Sequence, residues 1–184
     1  MRKMAEKAAC IRIVVGIVFA ALSFVLFVPF TVQAQDPEGF RGMKWGTNLS
    51  EAAGMVVKEE SEQSKYCVRS GDKMSIGGAK LTNLAYVFYK DRFCTVLITT
   101  KGLSDWLLLR DAVFAQYKEG IKPNRFMDKW FWGPNWGNGV PDVEMSLSYI
   151  TVTKESTLYI SFSPIKKERD ADREQRAKDA KKDF

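Results

Sequence analysis

The chain has 184 residues, of which 28 are basic, 22 are acidic and none is histidine, so its formal net charge is +6. Without histidine it can assemble neither a Ser-His-Asp or Cys-His nucleophile nor a zinc, copper or haem site that needs a histidine ligand. Carboxylate, lysine and tyrosine side chains are the catalytic groups that remain, and neither a cofactor nor a metal site is expected.

The first 34 residues predict an export signal. Four basic residues flank the start of an uncharged run from Ile13 to Phe30, and Val32-Gln33-Ala34 places short side chains before a cleavage point at Gln35. The run is longer than an ordinary signal core and approaches the length of a membrane-spanning helix. Two outcomes therefore stay open: cleavage after Ala34, which we favour, or retention as an N-terminal inner-membrane anchor. Either one places the rest of the chain in the periplasm or outside the cell.

Residues 35–165 are predicted to form one domain, followed by a charged tail at residues 166–184. The signal segment holds four basic residues and one acidic residue, so 24 basic and 21 acidic residues remain after its removal. Because these charges are mixed along the sequence, no clustered basic face is predicted and nucleic acid is not expected as a partner. A membrane is expected as a partner only through an uncleaved N-terminal segment.

Cys67 and Cys94 are the two cysteines outside the signal segment. Two cysteines in an oxidising compartment predict a structural disulfide. The alternative is a thiol–disulfide exchange pair, which we disfavour because the chain has no Cys-x-x-Cys motif.

In chain order, the first predicted elements are an extended segment at residues 40–45 and a short helix at residues 49–57. Asn48 stands at the position of a helix N-cap, and Glu51 would complete a capping box. Alternating side chains then predict a β-hairpin at residues 84–100, in which Cys94, Val96 and Ile98 share one face.

The best predicted helix of the chain opens at Leu103-Ser104, with Ser104 as its N-cap and Gly120 as its left-handed stop. Five apolar residues fall on one helical face: Trp106, Leu109, Val113, Phe114 and Tyr117. A tryptophan-rich loop at residues 129–136 precedes a second hairpin at residues 143–164, whose alternation predicts one buried and one solvated face.

The order helix, hairpin, helix, hairpin predicts an α+β fold. We expect a two-layer sandwich in which an antiparallel sheet of two hairpins plus short strands is covered by two helices. From Lys166 onwards almost every residue is charged and no apolar stripe is present, so the tail is predicted to be a frayed, solvated helix or disordered.

The tryptophan-rich loop is the predicted binding site, formed by Trp130, Trp132, Asn135 and Trp136. Exposed indoles beside small polar residues make platforms for sugar rings or for the side chains of a partner protein. In the alternative interpretation, Trp130 or Trp132 starts a strand and fills one end of the core, while Trp136 covers the sheet edge.

Asp142 and Glu144 form a second candidate site. They lie two residues apart on a predicted strand, so both carboxylates would project from the same face. Such a pair can bind a cation or act in acid–base catalysis. Acidic pairs at the start of a strand are more often simply solvated, and the sequence offers no third group.

The segment Phe40-Arg-Gly-Met-Lys-Trp-Gly-Thr-Asn-Leu-Ser-Glu51 resembles the opening of small uncharacterised exported proteins of Gram-negative bacteria. In those proteins a Trp-Gly-Thr turn precedes a short helix, and a Tyr-x-Phe strand follows, here Tyr86-Val-Phe88. More loosely, the order of elements looks like that of the outer-membrane assembly lipoproteins of the SmpA/OmlA (BamE) type, although the lipobox cysteine is missing. The resemblance implies an α+β envelope protein and brings no activity with it.

Three functions follow as hypotheses. The leading one is a non-enzymatic periplasmic binding or scaffold module that contacts an envelope protein or polysaccharide through a sheet face or the tryptophan-rich loop. The first alternative is a carboxylate-based hydrolase of envelope polysaccharide that uses Asp142 and Glu144. The second is a carrier of a small apolar ligand, with Trp106 and Phe114 lining a cavity between helix and sheet.

Overall fold

The computed structural model describes residues 38–181, which form the α+β fold expected from the sequence. The helices are α1 (Leu103–Tyr117) and α2 (Ser163–Ala180). Neither helix in this part of the chain combines the length and the apolar character needed to span a membrane. The predicted export signal and its cleavage point lie outside the described residues.

Eleven strands are present in the described range. They are β1 (Gly39–Phe40), β2 (Met43–Lys44), β3 (Met55–Ser61), β4 (Ser64–Arg69), β5 (Ser75–Ile76), β6 (Ala79–Lys80), β7 (Asn83–Tyr89), β8 (Arg92–Lys101), β9 (Lys129–Trp132), β10 (Val143–Ile150) and β11 (Glu155–Phe162). Seven of them form one antiparallel sheet in the order β3-β4-β7-β8-β11-β10-β9. The pairs β1–β2 and β5–β6 form two small ribbons. Both predicted hairpins, β7–β8 and β10–β11, are confirmed.

The first face of the sheet, which carries Tyr86 and Val96, packs against α1 and forms the main core. Trp106, Leu109 and Val113 of α1 are buried against this face. Their spacing of three and four residues places them on one side of the helix, as the sequence predicted. Burial of each large apolar side chain stabilises the fold by about 1.5–3 kcal/mol, so this interface supplies a large share of the stability.

The ends of α1 differ from the sequence prediction. The N-cap is Gly102 rather than Ser104, and the C-cap that follows Tyr117 is Lys118, which has a φ of 63°. Gly120 is therefore not the left-handed stop. Gly120 instead lets its backbone lie close to β9, because a Cβ atom there would be 2.7 Å from the ring of Trp132 and 2.8 Å from the carbonyl oxygen of Phe131.

A β-bulge in β8 places Cys94 on the opposite face of the sheet from Cys67. Phe93 pairs with Phe88 and Thr95 pairs with Val87, so Cys94 is the extra residue between two regular pairs. The bulge turns Cys94 toward the second face of the sheet, where it packs with Val87, whereas Cys67 belongs to the core on the first face. Both thiols are free and buried. The predicted Cys67–Cys94 disulfide is therefore wrong, and so is the shared face of Cys94, Val96 and Ile98.

The opening segment forms a tight hairpin instead of a simple extended strand. Phe40 and Met43 are buried, and the turn between them uses positive φ values at Arg41 and Gly42. Trp45 then stacks on Phe93 with ring centroids 4.7 Å apart. The β1–β2 ribbon is thereby fastened to the start of β8.

The predicted helix at residues 49–57 is wrong. Asn48 does cap a helical turn, because its side chain accepts a hydrogen bond from the Ser50 N–H, but the turn is a 3-10 helix of three residues, Leu49–Glu51. Gly54 has a φ of 75°, and Met55 begins the edge strand β3. Pairing with β4 therefore outweighs the helical start signal.

The second face of the sheet carries Val87 and Thr95 and is partly covered by α2. Ile165 in the first turn of α2 packs with Val87, Tyr89 and Cys94. The structure thus differs from the sequence expectation for the tail, since residues 163–180 are helical and contact the sheet over several turns. The two covering helices, one on each face, are not the pair that the sequence predicted.

Candidate functional site

The tryptophan-rich segment does not form one exposed platform. Trp130 and Trp132 point into the core from strand β9 and are 6% and 1% exposed. Trp136 lies in a 3-10 turn, is 39% exposed, and stacks on Phe131 with centroids 4.8 Å apart. Asn135 is exposed in the same turn. The structure therefore leaves Trp136 and Asn135 as the accessible members of the predicted site.

The carboxylates of Asp142 and Glu144 are not a matched pair on one strand. β10 begins at Val143, and Asp142 precedes it with a φ of 60°. Glu144 forms an ion pair with Lys166 at 3.5 Å. Glu144 is thus engaged with the first turn of α2.

The interface between α1 and the sheet is filled by aromatic rings. Trp106 stacks on Tyr149 at 5.2 Å, and Phe114 meets the rings of Trp130 and Trp132 at 5.6 and 6.1 Å. Trp106 and Phe114 are therefore packed against other aromatic rings of the sheet.

A groove of about 310 Å³ lies on the second face, between the sheet and α2. Three arginines of α2 line one wall: Arg169, Arg173 and Arg176. The floor is made of polar and apolar side chains from four strands, among them Tyr66, Val87, Thr95, Leu97 and Tyr159. We call this feature the arginine groove.

Helical spacing brings the three arginines together. Arg169, Arg173 and Arg176 are separated by four and three residues, so they share one side of α2. Glu168 and Asp172 of the same helix contact the β7–β8 turn. Lys90 Nζ lies 3.0 Å from Glu168 and 2.6 Å from Asp172.

These ion pairs fix the orientation of α2 above the sheet. Arg92 also pairs with Glu168, and the Tyr89 hydroxyl donates a hydrogen bond of 2.5 Å to Asp172. Hydrogen bonds from Arg92 and then Lys90 lower the pKa of Glu168. Hydrogen bonds to Asp172 and Glu168 in turn raise the pKa of Lys90. The charges that hold α2 in place therefore reinforce each other near neutral pH.

Each arginine of the groove has a different set of partners. Arg169 donates to the Tyr159 hydroxyl at 3.1 Å; burial acts to lower the pKa of Arg169, but the contact with Tyr159 leaves it raised. Arg176 pairs with Glu62, and its buried Nε finds no acceptor within residues 38–181. Arg173 is exposed and makes no hydrogen bond or ion pair with any described residue. The guanidinium of Arg173 is thus available to a ligand, whereas that of Arg176 is engaged by Glu62.

The groove is suited to binding an anion. A guanidinium presents a planar set of donors that matches a carboxylate or phosphate group, and arginine keeps its charge at every physiological pH. Within residues 38–181, no group of three or more acidic or cysteine side chains could hold a metal ion. The arginine side chains of the groove can therefore position an acidic group.

A second charged cluster supports the core on the first face. The Tyr86 hydroxyl donates to Asp72, and Arg41 donates to Asp72 at 2.8 Å and to the Ser75 carbonyl at 3.0 Å. Burial, followed by the hydrogen bond to Asp72, raises the pKa of Tyr86. Because its members satisfy one another, this cluster fastens the loop after β4 to the opening hairpin.

Sequence reasoning missed the arginine groove, although part of its signal was present. The spacing of Arg169, Arg173 and Arg176 is helical. The mixed charge of the tail and its lack of an apolar stripe nevertheless predict a solvated segment that does not pack on the sheet. The sequence gives no indication that Glu168 pairs with Lys90 and Arg92, because these residues lie 78 and 76 positions away from it.

Comparison with known proteins adds no relative. No family model matches the chain, and neither a curated protein nor a solved structure matches it. The function is therefore argued from the geometry of the described residues.

Proposed function

We propose that the protein is an exported, non-enzymatic binding module whose arginine groove holds an acidic group of an envelope partner. The observation that carries the proposal is Arg173, a cation without a hydrogen-bond or ion-pair partner among residues 38–181, placed between two further arginines on the wall of one groove. Carboxylate and phosphate share the chemistry that such a site recognises. Export to the periplasm is part of the proposal and is supported by the pattern of the first 34 residues.

Contacts within the groove support an anionic ligand over a neutral one. Glu62, in the turn between β3 and β4, already pairs with Arg176, so the groove accommodates a carboxylate of the chain itself. A ligand that carries two acidic groups could engage Arg173 with one of them and replace Glu62 on Arg176 with the other. The hydroxyl groups of Tyr66 and Ser64 lie on the floor as further donors.

The likeness of the opening segment to exported envelope proteins agrees with this role but adds no ligand. The exposed Trp136 and Asn135 stay candidates for a second contact with the partner. The hydrolase alternative has less support, because Glu144 is paired with Lys166 and Asp142 stands apart from the strand. The carrier alternative has less support because aromatic rings fill the interface that it needs.

The test measures binding of two simple polyanions, pyrophosphate and citrate, by titration calorimetry at low salt. We expect one-to-one binding of at least one of them, weakened about tenfold or more by Arg173→Gln, since hydrogen bonds to charged groups contribute about 1.5–3 kcal/mol. Lys167→Gln is the matched control, because Lys167 is exposed on the same helix and outside the groove.

Glu62→Gln provides a second variant with the opposite expected effect. It removes the carboxylate that competes for Arg176, so polyanion binding should become tighter. If neither polyanion binds, or if Lys167→Gln weakens binding as much as Arg173→Gln does, the groove is not an anion site.

A further inference from the structure

Large apolar side chains are gathered at one end of the sheet. The Tyr149 N–H donates to the Asp128 carbonyl at 2.8 Å, and the Gly102 N–H donates to the Lys154 carbonyl at 2.7 Å. The loop before β9, the β10–β11 turn and the start of α1 therefore lie side by side. Five apolar residues there are each more than half exposed: Leu103, Phe126, Met127, Ile150 and Val152. We call this group the apolar tip.

The two most exposed members stand on ordered turns. Phe126 is 82% exposed, and its N–H donates to the Asn124 side chain at 2.9 Å, while the Met127 N–H donates to the Asn124 carbonyl at 3.2 Å. Val152 is 92% exposed in the β10–β11 turn. A grouped set of exposed apolar side chains is a mark of an interaction surface rather than of ordinary scatter.

Three basic residues lie in, or directly next to, the loops that form the apolar tip. Arg125 lies over the Phe126 ring at 4.7 Å, Lys129 lies over Phe131 at 4.9 Å, and Lys154 occupies the β10–β11 turn. None of these three cations forms an ion pair with a residue between 38 and 181. The nearby acidic residues Asp128 and Glu155 are each paired with a different lysine, so the collar of the tip has an excess of positive charge.

We propose that the apolar tip docks on the surface of a bilayer that contains anionic lipids. Phe126 and Val152 would enter the boundary between head groups and acyl chains, while Arg125, Lys129 and Lys154 would contact lipid phosphates. Charge complementarity favours this occupant over a second copy of the chain, since two copies would bring like-charged collars together. The tip shares no residue with the arginine groove, so this inference is independent of the proposed function.

The test compares labels at two positions of the same chain, because attachment through the N-terminal segment alone would bring the chain to the vesicle without inserting the tip. In the full chain with Cys10→Ser, the buried Cys67 and Cys94 leave an introduced cysteine as the accessible thiol. Val152→Cys, labelled with nitrobenzoxadiazole, is compared with Val56→Cys, which labels an exposed valine on the edge strand β3. Each protein is titrated with vesicles of phosphatidylcholine alone or mixed in equal parts with phosphatidylglycerol.

We expect the label at position 152 to brighten and shift to the blue with anionic vesicles, while the label at position 56 stays unchanged. Half-saturation of the signal at position 152 should need about tenfold more lipid with neutral vesicles than with anionic ones. With anionic vesicles, adding Phe126→Ser should likewise raise the lipid needed about tenfold. An equal response at both positions, or no response at position 152, would overturn the proposal. A response that appears with rising protein concentration and no vesicles would overturn it in favour of self-association.

Discussion

Replacing Trp132 and Trp136 with alanine, one at a time, separates the core tryptophan from the exposed one. Trp132 is 1% exposed, packs beside Phe114, and donates from its indole nitrogen to the Lys118 carbonyl at 3.1 Å. Its ring also lies so close to Gly120 that no side chain fits between them. The surroundings are therefore rigid, and Trp132→Ala should leave a cavity that the structure fills poorly. Substitutions of this kind cost about 3–5 kcal/mol.

Trp136→Ala should cost far less, because this indole is partly exposed and its main contact is the stacked Phe131 ring. An aromatic pair contributes about 0.5–1.5 kcal/mol beyond the area that it buries. The assay is urea unfolding followed by circular dichroism, with Trp132→Phe as a control that keeps an aromatic ring. If Trp136→Ala destabilises the fold as much as Trp132→Ala, our assignment of Trp132 to the core and Trp136 to the surface is wrong.

Two further predictions concern the second face and the cysteines. Arg92 and then Lys90 lower the pKa of Glu168, so this carboxylate stabilises the fold above its ordinary pKa and stops doing so as pH falls through the lowered value. We expect the melting temperature to decrease when the pH is lowered below about 4, and this decrease to be smaller in the Arg92→Gln variant. If the variant shows the same decrease, the ion pair between Arg92 and Glu168 does not stabilise the fold. Burial raises the pKa of Cys67 and Cys94, so neither should react with a thiol reagent in the native protein. Both should react after denaturation without reductant, which mass spectrometry of the labelled peptides can show. If neither cysteine is labelled, the two are joined by a disulfide and our assignment of free thiols is wrong.

The hairpins and α1 could be predicted from the sequence because their signals are local. In β7 and β10 alternate side chains face the core, and in α1 the buried residues recur every three or four positions. Such periodicities follow directly from the geometry of strands and helices. The seven-stranded order could not be predicted, since strand pairing depends on contacts between distant segments.

The failures have a different physical origin. Asn48 gives a correct local signal for a helical start, but β3 gains hydrogen bonds along β4 and the helix is limited to one turn. The face of Cys94 depends on a bulge, and one inserted residue changes which side chains point to the core. Alternation alone contains no sign of that insertion.

The candidate site was predicted only in part. The composition of the tryptophan-rich segment predicts a binding site. Pairing of β9 with β10, however, turns Trp130 and Trp132 toward the core. The arginine groove depends on α2 lying across the sheet, which its own sequence does not indicate. Its charged residues find partners on β7 and β8, and a single buried apolar residue, Ile165, is enough to begin the docking.

The edge strand β3 has a consequence for how this protein meets other chains. Its outer side offers unpaired backbone groups, which in many proteins invite another strand to join the sheet. Here the edge carries Lys58, Glu59 and Glu60, and its register with β4 shifts between Val57 and Glu59. An incoming strand would have to place its backbone beside these charges and follow an interrupted ladder. The edge therefore discourages fibril-like stacking of copies of this chain.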